Sequence, residues 1–278
     1  MTLLILGLGY TAARAAPRLA AHGVVVGTSR SGRDGTLRFD DDAPVRAAIA
    51  SARRILVSVP PADDGRDPAL DRYGAAIARS GAEWIGYLSS TGVYGDTGGA
   101  WVDEDSAVGT GRRAARTAAD RGWAALDPRV RVFRLPGIYG PGRSVFDRLR
   151  DGRARRFDAP DHAFSRIHVD DIAGALVASL GGPSGTFNIA DDDPGPPAEV
   201  TAFGAALLEI KPPPLEPLDL ASMSPMAAGF WSESRRVANG RAKRVLGWRP
   251  VHPDFRAGLL AVRAEEAGPT LSPGNRSG

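Results

Sequence analysis

The first twelve residues constrain the fold more than any other stretch of the chain. Thr2–Leu6 is an unbroken apolar run with the length of one buried strand, and the segment Gly7-Leu8-Gly9-Tyr10-Thr11-Ala12 follows it directly. Residues 13–22 then have a helical pattern that ends at Gly23. Strand, glycine turn and helix N-terminus together present free backbone N–H groups and the positive end of a helix dipole, which favour an anion. The sequence therefore predicts a corner that binds a pyrophosphate.

The glycine segment has the G-x-G-x-x-A form of a dinucleotide fingerprint. Gly7 permits the tight turn, Gly9 lets the backbone approach the phosphates, and Ala12 lets the helix lie close to the strand. Tyr10 and Thr11, which lie between Gly9 and Ala12, are predicted to contact the cofactor as well. Glycines at this spacing also occur by chance in a chain with 34 glycines, so the motif gains its weight from the strand and helix around it.

The residues that end the second predicted strand, over 24–28, indicate which cofactor binds. An acid there would bind the ribose hydroxyls of NAD, whereas an arginine accommodates the 2′-phosphate of NADP. Here Ser29 and Arg30 follow the strand, and no acid occurs before Asp34. We therefore expect NADP(H) in preference to NAD(H), with FAD at the same turn as a weaker alternative. The other reading of Arg30 is a solvent-exposed loop residue, because only Lys211 and Lys243 of the 35 basic residues are lysines and all the others are arginines.

Apolar runs and helical patterns alternate along the chain, which is typical of βαβ units. The fold class is therefore α/β, a doubly wound parallel (Rossmann) sheet with a smaller C-terminal substrate lobe. Ligands of such sheets lie beyond the carboxyl ends of the strands, which places Ser58 and Pro60 beside the cofactor. The predicted strands are 36–39, 54–59, 83–90 and 129–135, and the predicted helices are 44–52, 67–80, 144–151, 198–209 and 255–267, with 215–231 irregular. The predicted division is a cofactor-binding core over 1–140 to which 164–192 return, a substrate lobe over 141–163 and 193–267, and a flexible tail over 268–278.

Composition excludes several classes of function. The chain has no cysteine, so it has no disulfide, thiol nucleophile or thiolate metal site, and its four histidines have no ligand spacing, so we predict no metal. The net charge is only +3, and the arginine clusters at 148–156 and 235–244 lack interleaved stacking aromatics, so no nucleic-acid partner is expected. No apolar run approaches the roughly 20 residues of a membrane span, and the apolar start lacks the basic flank of a signal peptide. A cytoplasmic location is expected.

Five segments further along the chain carry a resemblance to a known family. They are Leu88–Asp96 (LSSTGVYGD), Phe133–Gly142 (FRLPGIYGPG), Arg166–Ala173 (RIHVDDIA), Phe187–Asp192 (FNIADD) and Leu246–Pro250 (LGWRP). In this order they resemble the extended short-chain dehydrogenases, the NAD-dependent epimerase/dehydratase superfamily, over roughly residues 2–262. The resemblance implies cofactor contacts at Ser89, Pro136 and Ile138 and places Ser90 at the family's catalytic Ser/Thr. Asp170 or Asp171 is predicted to cap the helix that runs to Leu180, with His168 packed or hydrogen-bonded before it.

The family's catalytic Tyr-x-x-x-Lys pair is absent. Residues 95–122 contain neither a tyrosine nor a lysine. If Asp120 is matched to the acid that commonly follows the pair, Arg112 stands at the tyrosine position and Arg116 at the lysine position. Arginine stays protonated in proteins and cannot exchange a proton as tyrosine does, although Arg116 could contact the ribose or a phosphate. The chain thus resembles the atypical members of the superfamily.

Two functions follow as hypotheses. The first is an NAD(P)-dependent oxidoreductase or epimerase/dehydratase-like protein, with NADP(H) preferred, acting on a small polar or sugar-nucleotide-like substrate. Its predicted polar groups are Ser90, Tyr94, Arg112 and Arg166. Protons would come from water, the substrate, Tyr94 or Tyr139. Each of these two tyrosines either lines the pocket or covers the sheet edge. The second is a non-catalytic NADP(H) sensor, which the missing Tyr-x-x-x-Lys pair favours. A homodimer is one expectation from the resemblance, and the oligomeric state stays open.

Overall fold

Strands and helices alternate along most of the chain. The computed structural model describes residues 1–62, 64–111 and 114–268. The strands are β1 (Thr2–Leu6), β2 (Val24–Ser29), β3 (Leu37–Arg38), β4 (Arg54–Val57), β5 (Trp84–Ser90), β6 (Trp101–Val102), β7 (Val130–Leu135), β8 (Gly137–Tyr139), β9 (Arg156–Asp158), β10 (Arg166–His168), β11 (Gly185–Asn188), β12 (Leu215–Pro217) and β13 (Arg236–Val237). The helices are α1 (Tyr10–Ala20), α2 (Asp42–Ser51), α3 (Pro68–Ala78), α4 (Ala114–Leu126), α5 (Val145–Arg150), α6 (Val169–Ala178), α7 (Pro197–Leu207), α8 (Pro225–Trp231), α9 (Gly240–Leu246) and α10 (Phe255–Ala267).

The central sheet has seven strands in the order β11-β7-β5-β4-β1-β2-β3. Every neighbouring pair is parallel, with Leu4 of β1 opposite Val26 on one side and Ile55 on the other. The chain builds outward from β1 in one direction through β3 and in the other direction from β4, so the order reverses between β1 and β4. A crevice opens beyond the carboxyl ends of the strands at such a reversal. The predicted doubly wound α/β fold is confirmed.

Helices cover both faces of this sheet because successive residues of a buried strand point to opposite sides. Leu3 and Ile5 belong to one core cluster, together with residues of α1 and α6. Leu4 and Leu6 belong to a second cluster with residues of α2, α3 and α4. The unbroken apolar run of β1 thus fills two cores at once.

A third apolar cluster lies among α5, α7 and α10, within the residues predicted for the substrate lobe. Helix α5 begins with a capping box, in which Ser144 accepts from the Phe146 amide and Asp147 accepts from the Ser144 amide. Residues 215–231, predicted to be irregular, contain β12 and α8, so that prediction was wrong. Ser224 caps α8 and Pro225 occupies its first turn, a helix start that the sequence reading overlooked.

The start of α6 joins the sheet to the C-terminal segment in a way that differs from the prediction. Nδ1 of His168, and neither aspartate, caps the helix by accepting from the Asp170 amide at 3.3 Å. The carboxylate of Asp171 instead accepts from the amides of Val251 and His252, at 2.6 and 3.1 Å. Its carbonyl oxygen accepts from the Trp248 indole at 3.1 Å. Asp171 therefore fixes the segment after α9, 80 residues along the chain, against α6.

Among residues 1–62, 64–111 and 114–268, no helix combines the length and apolar composition that a bilayer crossing requires.

Replacing Asp171 by alanine tests this attachment. The change leaves two partly buried amides without an acceptor, and hydrogen bonds to a charged group contribute about 1.5–3 kcal/mol each. We expect Asp171→Ala to lower the free energy of unfolding by about 3 kcal/mol in urea denaturation. The matched control is Asp64→Ala, which removes an exposed carboxylate paired with Arg66 and should leave the midpoint unchanged. Equal midpoints for the two variants would contradict the role of Asp171.

Candidate functional site

The turn after β1 accepts only glycine at its first position. Gly7 has φ of +90°, and a Cβ atom there would lie 2.8 Å from Cγ2 of Val59 and 3.3 Å from the carbonyl carbon of Ser58. Its amide donates to the Thr28 hydroxyl at 2.9 Å, which ties the turn to β2. The turn is therefore fixed between the ends of β2 and β4.

Open space lies over the second glycine. A Cβ atom built on Gly9 would meet no heavy atom within 4 Å. Gly9 is the N-cap of α1, and no described residue accepts from the amides of Tyr10, Thr11 and Ala12. Unsatisfied amides at the start of an 11-residue helix, facing free space, can hold an anion such as a diphosphate.

The side chains that follow Gly9 serve the packing around this corner. Ala12 is fully buried in the core between α1 and the sheet, and Thr11 is also buried. The Tyr10 hydroxyl donates to the Pro141 carbonyl at 3.1 Å, and the Arg143 guanidinium lies 5.6 Å from the centre of its ring. Only the backbone of Tyr10 is therefore turned to the corner, whereas its side chain reaches the loop after β8.

The end of β2 presents a small polar turn. The Ser29 hydroxyl lies 2.7 Å from that of Thr36 and accepts from the Gly32 amide at 3.0 Å. Arg30 is exposed, and its side chain forms no hydrogen bond or ion pair with any described residue. Its guanidinium is thus not committed to a carboxylate of the described chain.

The ends of the neighbouring strands complete one side of the crevice. Ser58 is half-buried, and its amide donates to the Leu6 carbonyl at 2.9 Å, so it directly follows β4 beside the glycine turn. Pro60, two residues further along the chain, is exposed. Both residues predicted to lie beside the cofactor are therefore at the same edge as Gly7 and Gly9.

A buried ion pair lies beneath the carboxyl ends of β5 and β7. Nη2 and Nε of Arg134 donate to the two carboxylate oxygens of Asp120 at 2.7 and 3.0 Å. The Ser89 hydroxyl donates to the same carboxylate at 2.6 Å. Burial alone would lower the pKa of Arg134, but the hydrogen bonds to Asp120 outweigh it and hold the pKa above its usual value. Ser89 is thus turned toward α4 and serves this network.

Tyr94 extends the network to β11. Its hydroxyl accepts from Arg134 at 2.9 Å and donates to the Asn188 side-chain oxygen at 2.8 Å, and the residue is only 1% exposed. Glu104 accepts from the Asn188 amide at 2.7 Å. Burial raises the pKa of Tyr94. Tyr94 is therefore buried inside the fold, where its hydroxyl joins the ends of β7 and β11.

Sequence reasoning assigned no site role to Asp120, Arg134 or Asn188. Arg134 and Asn188 lie within the segments that carry the family resemblance, and Asp120 served only to align α4. The signal in the sequence was that each of these polar side chains lies in or next to an apolar stretch. Polar groups that become buried there need hydrogen-bonding partners, so the three are predicted to pair with one another.

The predicted catalytic residues are placed as follows. Ser90 is half-buried at the end of β5, and its hydroxyl accepts from the Gly92 amide at 3.1 Å at the start of the 3₁₀ turn Thr91–Tyr94. Arg116 lies in the first turn of α4, half-buried. Arg112 lies outside the described residues. The hydroxyl hydrogen of Ser90 has no acceptor among the described residues, so it can be donated to a ligand.

A cavity of about 870 Å³ lies among β8, α5, α7, α8 and α10. Ile138 and Tyr139 of β8 line it, and Pro136 lies between β7 and β8. Burial raises the pKa of Tyr139, so its phenol stays protonated. The floor of the cavity contains Arg166. Volumes of this order are typical of small-molecule sites.

Two further groups of titratable residues lie near this cavity. Asp191 is buried, neither of its carboxylate oxygens has a hydrogen-bond partner among the described residues, and burial raises its pKa to about 8. His168, Asp171 and His252 have ligand atoms within 4.8 Å of one another, a grouping that their spacing along the chain did not indicate. The lone pairs of Asp171 already accept from Val251 and His252, and burial lowers the pKa of His168 to about 4. These contacts join α6 to the C-terminal segment.

Comparisons with solved structures agree with this architecture. A functionally unknown conserved protein from Silicibacter pomeroyi DSS is 41% identical with a TM-score of 0.87, over 95% of this chain and 98% of that one. The human epimerase family protein SDR39U1 (isoform2), solved with NADPH, is 20% identical with a TM-score of 0.77, over 95% of this chain and 99% of that one. The second likeness shows the fold, and the resemblance inferred from the sequence is confirmed at that level.

Among curated proteins, the 3-diazoavenalumate denitrifying reductase of a Streptomyces species is 32% identical over 171 residues. The match covers 51% of this chain and 54% of that protein, so the chain spans about half the length of this relative. A scan against protein-family models finds no match.

Replacing Asp191 by asparagine tests the protonation of the buried carboxyl. The unfolded chain releases this proton near the ordinary pKa of 3.8, whereas the folded chain keeps it until about pH 8. The group therefore costs stability progressively as pH rises between these values, by up to about 1.4 kcal/mol per pH unit. We expect Asp191→Asn to become more stable relative to the original chain as the pH rises from 5 to 8, so that the difference between their free energies of unfolding increases over this range. Urea denaturation at several pH values measures it, with the exposed Asp64→Asn as control; parallel pH profiles for all three proteins would contradict the raised pKa.

Proposed function

We propose that this chain, which belongs to the same family as the functionally unknown Silicibacter pomeroyi protein, is an NADP(H)-dependent oxidoreductase. The observation that carries the proposal is the open corner over Gly9, at the start of a helix whose first amides have no acceptor among the described residues. The corner fits a diphosphate and lies at the reversal point of a parallel sheet, where dinucleotides bind. The substrate is a small polar molecule that binds in the cavity beyond β8.

Preference for NADP(H) is supported by the end of β2. No acidic side chain ends this strand, and Arg30 is exposed without an ion pair among the described residues. A guanidinium in this position suits a 2′-phosphate, to which it can donate two parallel hydrogen bonds. Beside it the Ser29 hydroxyl is hydrogen-bonded to that of Thr36, which in turn donates to the Arg33 carbonyl at 2.6 Å, so Arg30 is the donor that this turn leaves for a phosphate.

The chain's own residues would position the substrate and hold its protons. A bound nicotinamide supplies or accepts the hydride. Ser90 would donate its hydroxyl hydrogen to the reacting oxygen of the substrate, and Ile138 lines the cavity beyond β8. The Asp120–Arg134 pair and Tyr94 hold the ends of β5 and β7 in place behind Ser90. The curated relative is named a reductase, which agrees with this reaction class.

A non-catalytic NADP(H)-binding sensor is the second candidate. The absence of tyrosine and lysine from residues 95–122 favours it. NADPH that binds tightly but is not oxidised with any member of a panel of carbonyl compounds, aryl carboxylates and sugar nucleotides would favour the sensor, whereas substrate-dependent loss of NADPH absorbance would establish the enzyme.

Cofactor preference can be measured by titrating NADPH and NADH against the fluorescence of the five tryptophans. We expect NADPH to bind more tightly, and Arg30→Ala to weaken NADPH by about tenfold or more while leaving NADH unchanged, because a charge-assisted contact contributes about 1.5–3 kcal/mol. Arg53→Ala is the control, since Arg53 pairs with Glu83 at the opposite edge of the sheet. Equal loss of both nucleotides in Arg30→Ala, or a preference for NADH in the original chain, would contradict the proposal.

The phosphate corner is tested by adding one methyl group. Gly9→Ala meets no protein atom, so we expect unchanged stability but at least tenfold weaker binding of both nucleotides, because the methyl group occupies the space of the phosphates. Gly81→Ala, which also meets no atom within 4 Å, is the matched control and should bind both normally. Gly7→Ala should instead destabilise the fold by about 1–3 kcal/mol through its positive φ. Normal nucleotide binding by Gly9→Ala would refute the assignment of the corner.

A further inference from the structure

We propose that the cavity beyond β8 binds an aromatic carboxylate, with its flat ring among the aromatic side chains of the wall and its carboxylate on Arg166. This inference rests on the proposed function and names the class of substrate for the same site. It is carried by three features of the cavity: the composition of its wall, the distribution of charge around it and the surroundings of Arg166.

Aromatic rings form much of the wall. Phe164 and Phe230 lie with their ring centres 4.6 Å apart, and Trp231 lies 5.2 Å from Phe157 and 5.7 Å from Phe230. Phe255 closes another side. The faces and edges of such rings favour a flat aromatic body over a sugar, whose hydroxyls need polar partners.

Charge around the cavity is strongly positive. Five arginines line it against one acid, Asp147, whose carboxylate already accepts from the Ser144 amide. Four of these arginines are exposed and lie toward solvent: Arg143, Arg148, Arg153 and Arg155. Arg153 and Arg155 pair with Asp151 and Glu216 at the surface, so the exposed set attracts an anion without fixing its position.

Arg166 differs from the other four because it is buried. It is 6% exposed and donates to the carbonyls of Phe164 and Gly195 at 2.9 and 2.8 Å. No carboxylate lies within 4 Å of it among residues 1–62, 64–111 and 114–268. Its guanidinium has five N–H donors, so several remain for a ligand.

A buried charge without a counter-charge is costly, and proteins keep such charges where they are paired or bind a ligand. Asp191 is the acid whose field acts most on Arg166, but its burial keeps it protonated up to about pH 8. The positive charge of Arg166 is therefore left for the ligand. A single carboxylate can accept two parallel hydrogen bonds from one guanidinium, which matches a single buried arginine.

The charge on the ligand can be tested without altering the protein. The probes are 2-naphthoate and its neutral isostere 2-naphthamide, titrated into the full chain in the presence of NADP⁺ and followed by isothermal titration calorimetry. We expect the acid to bind about tenfold or more tightly than the amide, since a charge-assisted hydrogen bond contributes about 1.5–3 kcal/mol. Equal affinities would overturn the proposal, and UDP-glucose binding more tightly than naphthoate in the same cavity would overturn it in favour of a nucleotide ligand.

Substitutions of Arg166 locate the contact. Arg166→Met should reduce the acid-to-amide ratio to about one, and Arg166→Lys, which keeps the charge but loses the two-pronged donor, should give an intermediate ratio. The control is Arg148→Met at the exposed rim, which should keep the ratio. If Arg166→Met fails to fold, the lysine variant and the probe pair still decide the outcome. An unchanged ratio in Arg166→Lys and Arg166→Met would overturn the proposal.

Failure of this inference is distinguishable from failure of the proposed function. NADPH binding measured alone reports on the Gly9 corner, whereas the acid-to-amide ratio reports on Arg166. If NADPH binds but 2-naphthoate and 2-naphthamide bind equally well, only the ligand assigned to the cavity is refuted. If 2-naphthoate binds through Arg166 but neither NADPH nor NADH binds, the proposed oxidoreductase function is refuted and the ligand assigned to the cavity stands.

Discussion

The two parallel hydrogen bonds between Arg134 and Asp120 hold the carboxyl end of β7 against α4. Both residues are almost fully buried, and the pair joins β7 to α4 across the ends of the central strands. Such a pair recovers the cost of removing two charges from water only if its remaining donors and acceptors are satisfied. Ser89 and Tyr94 supply those partners, so the positions of two strand ends depend on one ion pair. Ser90, the last residue of β5, directly follows Ser89.

Tyr10 connects the glycine turn to the loop between β8 and α5. Tyr10 opens α1 at the phosphate corner, but its hydroxyl binds the Pro141 carbonyl in the loop between β8 and α5. Arg143, at the rim of the cavity, lies over the same ring. One side chain thus joins the start of α1 to the rim of the cavity beyond β8.

Local patterns predicted what depends on neighbours in the chain. β1, the glycine turn and α10 follow from an apolar run, a positive φ and helical spacing, each of which acts over a few residues, although α1 begins at Tyr10, earlier than the pattern indicated. The partners of Asp171 could not be read in this way, because its carboxylate meets Val251 at a separation of 80 residues. A residue in the first turn of a helix is an ordinary cap candidate, and only the fold reveals that its oxygens are used elsewhere. Arg166 was among the predicted polar groups of the site, but its burial and its bonds to the Phe164 and Gly195 carbonyls depend on the fold and could not be predicted from the sequence.

The tyrosines bear on the direction of the proposed reaction. The chain has five, and burial raises the pKa of every one of them. A phenol whose pKa is raised keeps its proton at neutral pH and cannot begin a reaction by removing one from a substrate hydroxyl. The two lysines lie in the C-terminal part of the chain, where Lys243 pairs with Asp192, so neither performs the task of the family's lysine on α4. Reduction of a carbonyl takes up a hydride and a proton, and a protonated phenol or water is a proton donor, whereas the reverse oxidation needs a group that accepts this proton. Within the proposed function, reduction is therefore the chemistry that this set of residues supports best.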